Sequence, residues 1–307
     1  MDIFIQQLIN GFTLGAVYAM VALGYTMVFG IIQLINVAHG DVVMVGAMVA
    51  YTVIKLLADS GMPPVLVVFI AAACSVPVCM LLGFTMERIA YRPLRTAPRL
   101  ASLITAIGVS IIMQHLALII WSRNPLAFPQ IIEVDSYHIG EATITNVQVA
   151  IIGISTVMMA ALALLVYRTR MGAAMRATAQ NAAVAGLMGI DANRIIAATF
   201  VIGAGLAAVA GVMVANYYGI AHYTMGANLG LKAFCAAVLG GIGNIPGAML
   251  GGVLLGVVEA LGAGYIGDLT NNVFGSNYQD VFAFIVLILV LVFRPSGLLG
   301  ERVGDRA

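Results

Sequence analysis

The sequence predicts an all-α, polytopic membrane protein of about eight to ten transmembrane or re-entrant helices. Two observations carry this reading. Of 307 residues, 62% are hydrophobic and 9% charged, with a mean hydropathy of +1.05, whereas a soluble domain carries about 25% charged residues. The apolar residues also gather into long uninterrupted stretches, and in lipid such a stretch must satisfy its own backbone, which a helix does.

The stretches cover residues 8–30, 42–57, 65–86, 100–121, 147–167, 195–218, 248–266 and 281–293. Residues 1–7 carry Asp2 and no Lys or Arg, so they lack the basic region of a cleavable signal peptide and the first helix is expected to be retained. Residues 35–46 are apolar but interrupted by Asn36, His39, Gly40 and Asp41, and residues 232–247 by Gly240, Gly241, Gly243 and Pro246. These interruptions predict discontinuous helices near 36–46 and 232–247. In the later helices small residues recur every fourth position: Thr199, Gly203, Ala207, Gly211 and Ala215 in one, Ala248, Gly252, Gly256, Ala260 and Gly264 in the other. Such rows let backbones approach closely where hydrophobicity offers no drive for association, so both helices are expected to pack tightly.

Orientation follows from the arginines. Arg88, Arg92, Arg95 and Arg99 share one loop, Arg168, Arg170, Arg176 and Arg194 flank another, and Arg294, Arg302 and Arg306 follow the last helix. The positive-inside rule puts all three, and therefore the C-terminus, in the cytoplasm. The connections around Asp59, over 123–146 and over 267–280 are mostly acidic and are expected outside. The side of the N-terminus depends on whether the interrupted segments span, and the charges favour the outside.

Several chemistries are excluded. The only lysines, Lys55 and Lys232, precede Leu56 and Ala233, so no phosphate loop exists and the chain does not hydrolyse ATP alone. Gly262, Gly264 and Gly267 have dinucleotide-fingerprint spacing but end an apolar helix, outside any strand–helix unit. His39, His115, His138 and His222 include no pair at metal-ligand spacing. Cys74, Cys79 and Cys235 lie in apolar runs and show no disulfide framework. A net charge of +1 offers no field to gather nucleic acid.

Polar groups within apolar stretches are the informative residues, because an unpaired charge there costs several kcal/mol. They are Asn36, His39 and Asp41, Gln114 with His115, Lys232, and Glu259. For Lys232 and Glu259 a hydrogen bond between helices or snorkelling to the interface is an alternative to a place on a pathway. Asn36, His39 and Asp41 around Gly40 are like the broken helices through which transporters expose polar groups to a pathway. Asn244, in the second interruption, and Glu259 complete the candidates for such a path. Residues 170–194 (RMGAAMRATAQNAAVAGLMGIDANR) favour a helix that Gly189 stops, yet are too polar to cross. They form either a helix lying on the membrane surface or a docking element for a cytoplasmic partner.

Specific motifs extend this reading: Asn10-Gly11 with Leu14-Gly15, Ala22-Leu23-Gly24-Tyr25-Thr26-Met27, Ile35-Asn36-Val37-Ala38-His39-Gly40-Asp41, Glu87-Arg88-Ile89-Ala90-Tyr91-Arg92-Pro93-Leu94-Arg95, and the run from Ala236 through Gly240-Gly241-Ile242-Gly243-Asn244-Ile245-Pro246-Gly247 to Ala248. Over nearly its whole length the chain resembles the LivH-type permease subunits of branched-chain amino acid ABC importers. The resemblance implies one membrane-spanning permease domain over 1–307 in a bacterial inner membrane, with a coupling segment at about 171–190. It implies as partners a LivM-like second permease subunit, two ATP-binding subunits that use the ATP, and a periplasmic substrate-binding protein, with no cofactor bound by this chain. Met171, Gly172, Arg176, Ala177, Ala182 and Gly189 are the coupling candidates, although Gln180 and Asn181 replace acidic residues often found there. Arg123, a cation in an otherwise acidic outward loop, is the candidate for seating the binding protein. Related importers carry urea, amides or aromatic acids, and a stand-alone channel or secondary transporter is the alternative of a different class.

Overall fold

The computed structural model describes residues 2–95, 97–139, 142–269, 278–294 and 296–300. Helix α1 (Asp2–Ile32) leads through residues 33–38 to α2 (His39–Leu57), α3 (Pro64–Met86) and α4 (Arg99–Ile120). Strands β1 (Leu126–Ala127), β2 (Ser136–Ile139) and β3 (Ala142–Thr145) precede α5 (Asn146–Arg168), α6 (Arg170–Gln180), α7 (Ala182–Leu187) and α8 (Ala192–Tyr218). Strand β4 (Ile220–Ala221) then leads to α9 (Met225–Gly240), α10 (Ile245–Leu269) and α11 (Gln279–Phe293). Among the described residues seven helices are long and apolar enough to cross a membrane, and Met225–Gly240 and Phe284–Phe293 are shorter apolar helices. The chain is an all-α, multi-pass membrane protein. Residues 270–277 of the expected outward connection, and Arg302 and Arg306, lie outside the described residues.

The second predicted interruption is present, and the first lies a few residues earlier than expected, since residues 39–46 are helical. The first falls at residues 33–38, so that His39, Gly40 and Asp41 form the first turn of α2. There Gln33 adopts φ +52°, uncommon for a residue with a side chain. The second falls at residues 241–244, where Gly241 (φ +106°) and Gly243 (φ +94°) take conformations open to glycine. Pro246 enters the first turn of α10, where its missing N–H leaves no helical bond unmade.

The chain divides into two compact units, one of Met1–Thr26, Val134–Met159 and Lys232–Ala307, the other of Met27–Glu133 and Ala160–Leu231. In the second unit α2, α3 and α8 pack together. A Cβ added at Gly211 would lie 2.1 Å from the carbonyl oxygen of Val43, and one at Gly46 would lie 2.7 Å from Ala208 Cα. The predicted row on α8 is therefore a contact face, with Gly203, Ala207 and Ala215 buried beside Gly211. Close van der Waals contact holds these helices together, since lipid tails are as apolar as the side chains. Met44, Met48, Ile54, Val67, Phe128 and Val212 belong to the core of this unit.

In the first unit the row on α10 meets α1. A Cβ on Gly256 would lie 2.3 Å from Gly15 N, and one on Gly252 would lie 2.4 Å from Ala19 Cα. The other face of α10 meets α9, where a Cβ on Gly251 would lie 2.1 Å from the carbonyl oxygen of Ala236. Strands β2 and β3 form an antiparallel hairpin, and Gln6 of α1 accepts from Thr143 N at 2.8 Å. The Leu298 and Leu299 amides donate to the carbonyls of Leu239 (2.9 Å) and Gly240 (3.0 Å), which fastens residues 298–299 to the end of α9.

The predicted helix over 170–190 is present but divided. Asn181 is extended (φ −161°, ψ 104°), and its Oδ1 accepts from the amides of Ala183 (3.0 Å) and Val184 (3.1 Å). Helix-forming composition suggests continuity, but asparagine satisfies the first amides of a new helix better than it continues an old one. Gly189 (φ +83°) ends α7, as expected. Asn181→Ala should cost about 1 kcal/mol locally and speed amide exchange over residues 182–190 while leaving α8 protected. Unchanged exchange there would show that the cap does not hold α7.

Candidate functional site

Asn36, His39 and Asp41 come together at the start of α2 in the second unit, and all three are buried. Tyr91 donates its hydroxyl to Asn36 Oδ1 at 2.7 Å, and its ring tilts against Phe200 at 5.2 Å. A π-helical turn at Glu87–Tyr91, continuing α3, buries both Glu87 and Tyr91. From α4, Gln114 donates to Asp41 Oδ1 at 3.0 Å and to Ser110 Oγ at 3.2 Å. Gln114 stands 15 residues from Arg99, about 22 Å along the helix axis, so Asp41 meets α4 within its span and not at its arginine-rich end. Gly40 makes room for α9: a Cβ there would lie 2.3 Å from the carbonyl oxygen of Gly226.

Glu259 belongs to a different cluster, in the first unit. Lys232 Nζ lies 2.7 Å from Glu259 Oε1 and 2.7 Å from Asp280 Oδ1. Tyr18 donates to Glu259 Oε1 at 3.2 Å and accepts from Lys232 at 3.4 Å. Glu259 is fully buried and Lys232 nearly so. Tyr18 is 16 residues from the start of α1, about 24 Å along the axis, so the Tyr18, Lys232 and Glu259 groups meet far from that end of α1, while Asp280 reaches them from the first turn of α11. Of the alternatives for Lys232 and Glu259, the structure shows bonding between helices.

Asn244 stands apart from Glu259, about 22 Å away along α10 at 1.5 Å per residue. Its Oδ1 accepts from Gly247 N at 3.1 Å, capping α10, and its Nδ2 donates to the Leu299 carbonyl at 2.7 Å.

At the arginine-rich end of the second unit, Arg95 joins Glu87 in an ion pair and donates to Asn193 Oδ1 at 2.6 Å, tying the end of α3 to the start of α8. In the segment over 171–190, Arg176 donates to the Val166 carbonyl and lies 5.9 Å from the Tyr167 ring centroid. Gly172 is buried so close to α5 that a Cβ would lie 2.1 Å from the Val166 carbonyl oxygen. These two residues set the bend from α5 into α6. Met171 and Ala177 are half-buried, while Ala182, Gly189, Val184, Leu187 (87% exposed) and Met188 (80% exposed) stand out from the chain. The apolar tip of α7 was not foreseen, because one helix was expected to run through Asn181 to Gly189.

Arg123 is exposed at the far end of α4, its carbonyl 3.3 Å from His222 Nε2. The loop after it is anchored: β1 pairs with β4, Phe128 N donates to the Gly219 carbonyl at 2.9 Å, and Gln130 Nε2 donates to the Asn216 carbonyl at 2.9 Å. Sequence patterning missed these two-residue strands, which are too short for a period. Among the described residues no group of three His, Cys, Asp or Glu is placed to hold a metal ion.

A helical membrane protein that buries carboxylates, an ammonium and amides in its spans has the make-up of a transport subunit. The chain belongs to the family described as "Branched-chain amino acid transport system / permease component", whose profile matches residues 7–291. It is 47% identical over 304 residues to the high-affinity branched-chain amino acid transport system permease protein BraD of Pseudomonas aeruginosa, covering 97% of this chain and 96% of that one. It is 43% identical to the corresponding permease protein LivH of Escherichia coli over 307 residues and of Salmonella typhimurium over 303, each with 97% and 96% coverage. No solved structure matches.

Proposed function

We infer that this chain is a membrane-spanning permease subunit of an ABC importer for branched-chain amino acids. The observation that carries the reading is 47% identity along 97% of the chain to a permease of that transport class. The remaining parts of the machine follow from its chemistry. Without a phosphate loop the chain draws on ATP hydrolysed by two ATP-binding subunits. A LivM-like second permease subunit completes the membrane portion, and a periplasmic binding protein delivers substrate. By the positive-inside rule the arginine-rich ends and the C-terminus face the cytoplasm of a bacterial inner membrane.

Asn36, His39 and Asp41 line or support the translocation path. Asn244 and Glu259 stay candidates for it, each with a holding role in the first unit through its intrachain bonds. The segment over 171–190 couples the ATPase to transport. Arg176 and Gly172 fix its bend, Met171 and Ala177 seat α6, and Ala182 and Gly189 bound the exposed tip of α7 that meets the partner. Arg123, on an anchored loop, seats the binding protein. In proteoliposomes holding the chain with its co-expressed transport subunits and the binding protein, leucine uptake should require ATP on the ATPase side. ATP-independent uptake would make the chain a stand-alone carrier. Competition by urea or amides in place of leucine would move it to a related importer.

A further inference from the structure

Bonds within the second unit run in series from the coupling segment to the first interruption. Helices α6 and α7 touch α8, and Ile190 N donates to the Ala185 carbonyl at 3.0 Å, which fastens α7 to the residue before the cap of α8. Asp191 caps α8 by accepting from the amides of Asn193 (2.9 Å) and Arg194 (3.3 Å). Asn193 Oδ1 accepts from Arg95 at 2.6 Å, and the same guanidinium is paired with Glu87. Two arms of one rigid planar group therefore bridge α8 and the end of α3. Glu87 and Tyr91 open and close the π-helical turn, and Tyr91 donates to Asn36 at 2.7 Å. The Asn36 carbonyl in turn accepts from His39 N at 3.0 Å, where α2 begins.

Asn193 and Phe200 stand on one face of α8, and both engage the turn, the first through Arg95 and the second through its ring against Tyr91. Just before the turn α3 lies on α8, where a Cβ on Gly83 would be 2.9 Å from the Phe200 carbonyl oxygen. A displacement of the start of α8 is thus carried to the π turn. That turn holds one residue more than an α-helical turn, and releasing or shifting the extra residue rotates the side chains beyond it by about 100° around the axis. Packed elements switch between such arrangements and do not stretch. Glu87 is 1% exposed, and an apolar contact would close this end of the bundle at no greater cost. What the charged pair adds is a fixed direction.

We propose that Arg95, Glu87 and Tyr91 are positioning residues for transport, through which a displacement of the coupling segment reaches Asn36 and moves the interruption ahead of α2. The proposal rests on the coupling role inferred above for residues 171–190 and names the route by which that role is carried out. The three residues act through Asn36 and set how tightly ATP hydrolysis is tied to the passage of substrate.

The experiment uses the full complex with its binding protein in proteoliposomes and reads the leucine moved per ATP hydrolysed. Asn193→Ala removes an acceptor of Arg95 at an exposed position and keeps the pair with Glu87. Tyr91→Phe keeps the ring against Phe200 and removes the hydroxyl that reaches Asn36. In each variant leucine per ATP should fall about fivefold, the worth of one net hydrogen bond, with assembly and binding-protein-stimulated ATP hydrolysis retained. Asn193→Asp, which keeps an oxygen for Arg95, should hold the parent ratio. Links of one series are not additive, so the double variant should match the worse single. An unchanged ratio in both singles would overturn the proposal, as would a double variant whose losses multiply. A clamp that only holds the helices together would lower thermal stability and the yield of complex and leave the ratio as it was. If Tyr91→Phe does not assemble, Asn193→Ala set against Asn193→Asp decides alone. Uptake by the parent complex that needs no ATP would count against the importer reading itself, whereas ATP-dependent uptake with indifferent variants counts only against this route.

Discussion

Lys232→Met should be among the most damaging single changes to the fold. The ammonium sits 2.7 Å from both Glu259 Oε1 and Asp280 Oδ1, and it ties α9 to α10 and α11. Its removal leaves a fully buried carboxylate, already with one oxygen unpartnered, beside a second carboxylate. Breaking a buried pair from one side typically costs about 3–5 kcal/mol, because the surviving charge must be neutralised or dragged back to water. In detergent the purified subunit should lose roughly 10 °C of thermal stability. The physics also predicts a rescue. Lys232→Met combined with Glu259→Gln and Asp280→Asn removes every charge together, and uncharged groups of similar volume often replace a buried ion pair at little cost. A Lys232→Met protein as stable as the parent would show that the cluster holds nothing.

Leu187→Asp with Met188→Asp should leave the subunit folded and abolish transport. These side chains are 87% and 80% exposed, so their replacement removes almost no packing within the chain. If the tip of α7 seats in a cleft of the ATP-binding subunit, the interface loses about 1.5–3 kcal/mol for each apolar side chain and gains two carboxylates to desolvate. Affinity should fall by more than about a hundredfold, seen as loss of the ATPase on purification, while Leu187→Met is tolerated. Retention of the ATPase by the double aspartate variant would remove α7 from the interface.

Much of the architecture was legible because lipid imposes one dominant rule. A backbone with no external partner must be helical, so the apolar stretches marked the spans to within a few residues, and the glycines around 241 marked where helix had to stop. The small-residue rows on α8 and α10 were legible too, since close packing demands small residues on one face. What could not be read was partnership. Tyr18 and Glu259 are 241 positions apart, Tyr91 and Asn36 are 55, and neither pairing leaves a local pattern. Asp280 looked like an ordinary acidic residue in an outward loop until α11 placed it beside Lys232. Asn181 shows the opposite failure: its neighbours favour helix, but the chemistry of one side chain outweighs their average.

The first unit joins α1 to α10 through glycine faces, Gly15 on Gly256 and Ala19 on Gly252, and the ribosome makes the first of these helices long before the second. During synthesis α1 therefore enters the bilayer with its grooved face unfilled, and lipid chains or an insertion chaperone must occupy that groove until α10 emerges. The fold closes from its two ends and cannot be completed in order of translation. A substitution that enlarges Gly15 or Gly256 would then act late in biogenesis, on a chain already inserted and threaded correctly, which membrane quality control would encounter as an open bundle.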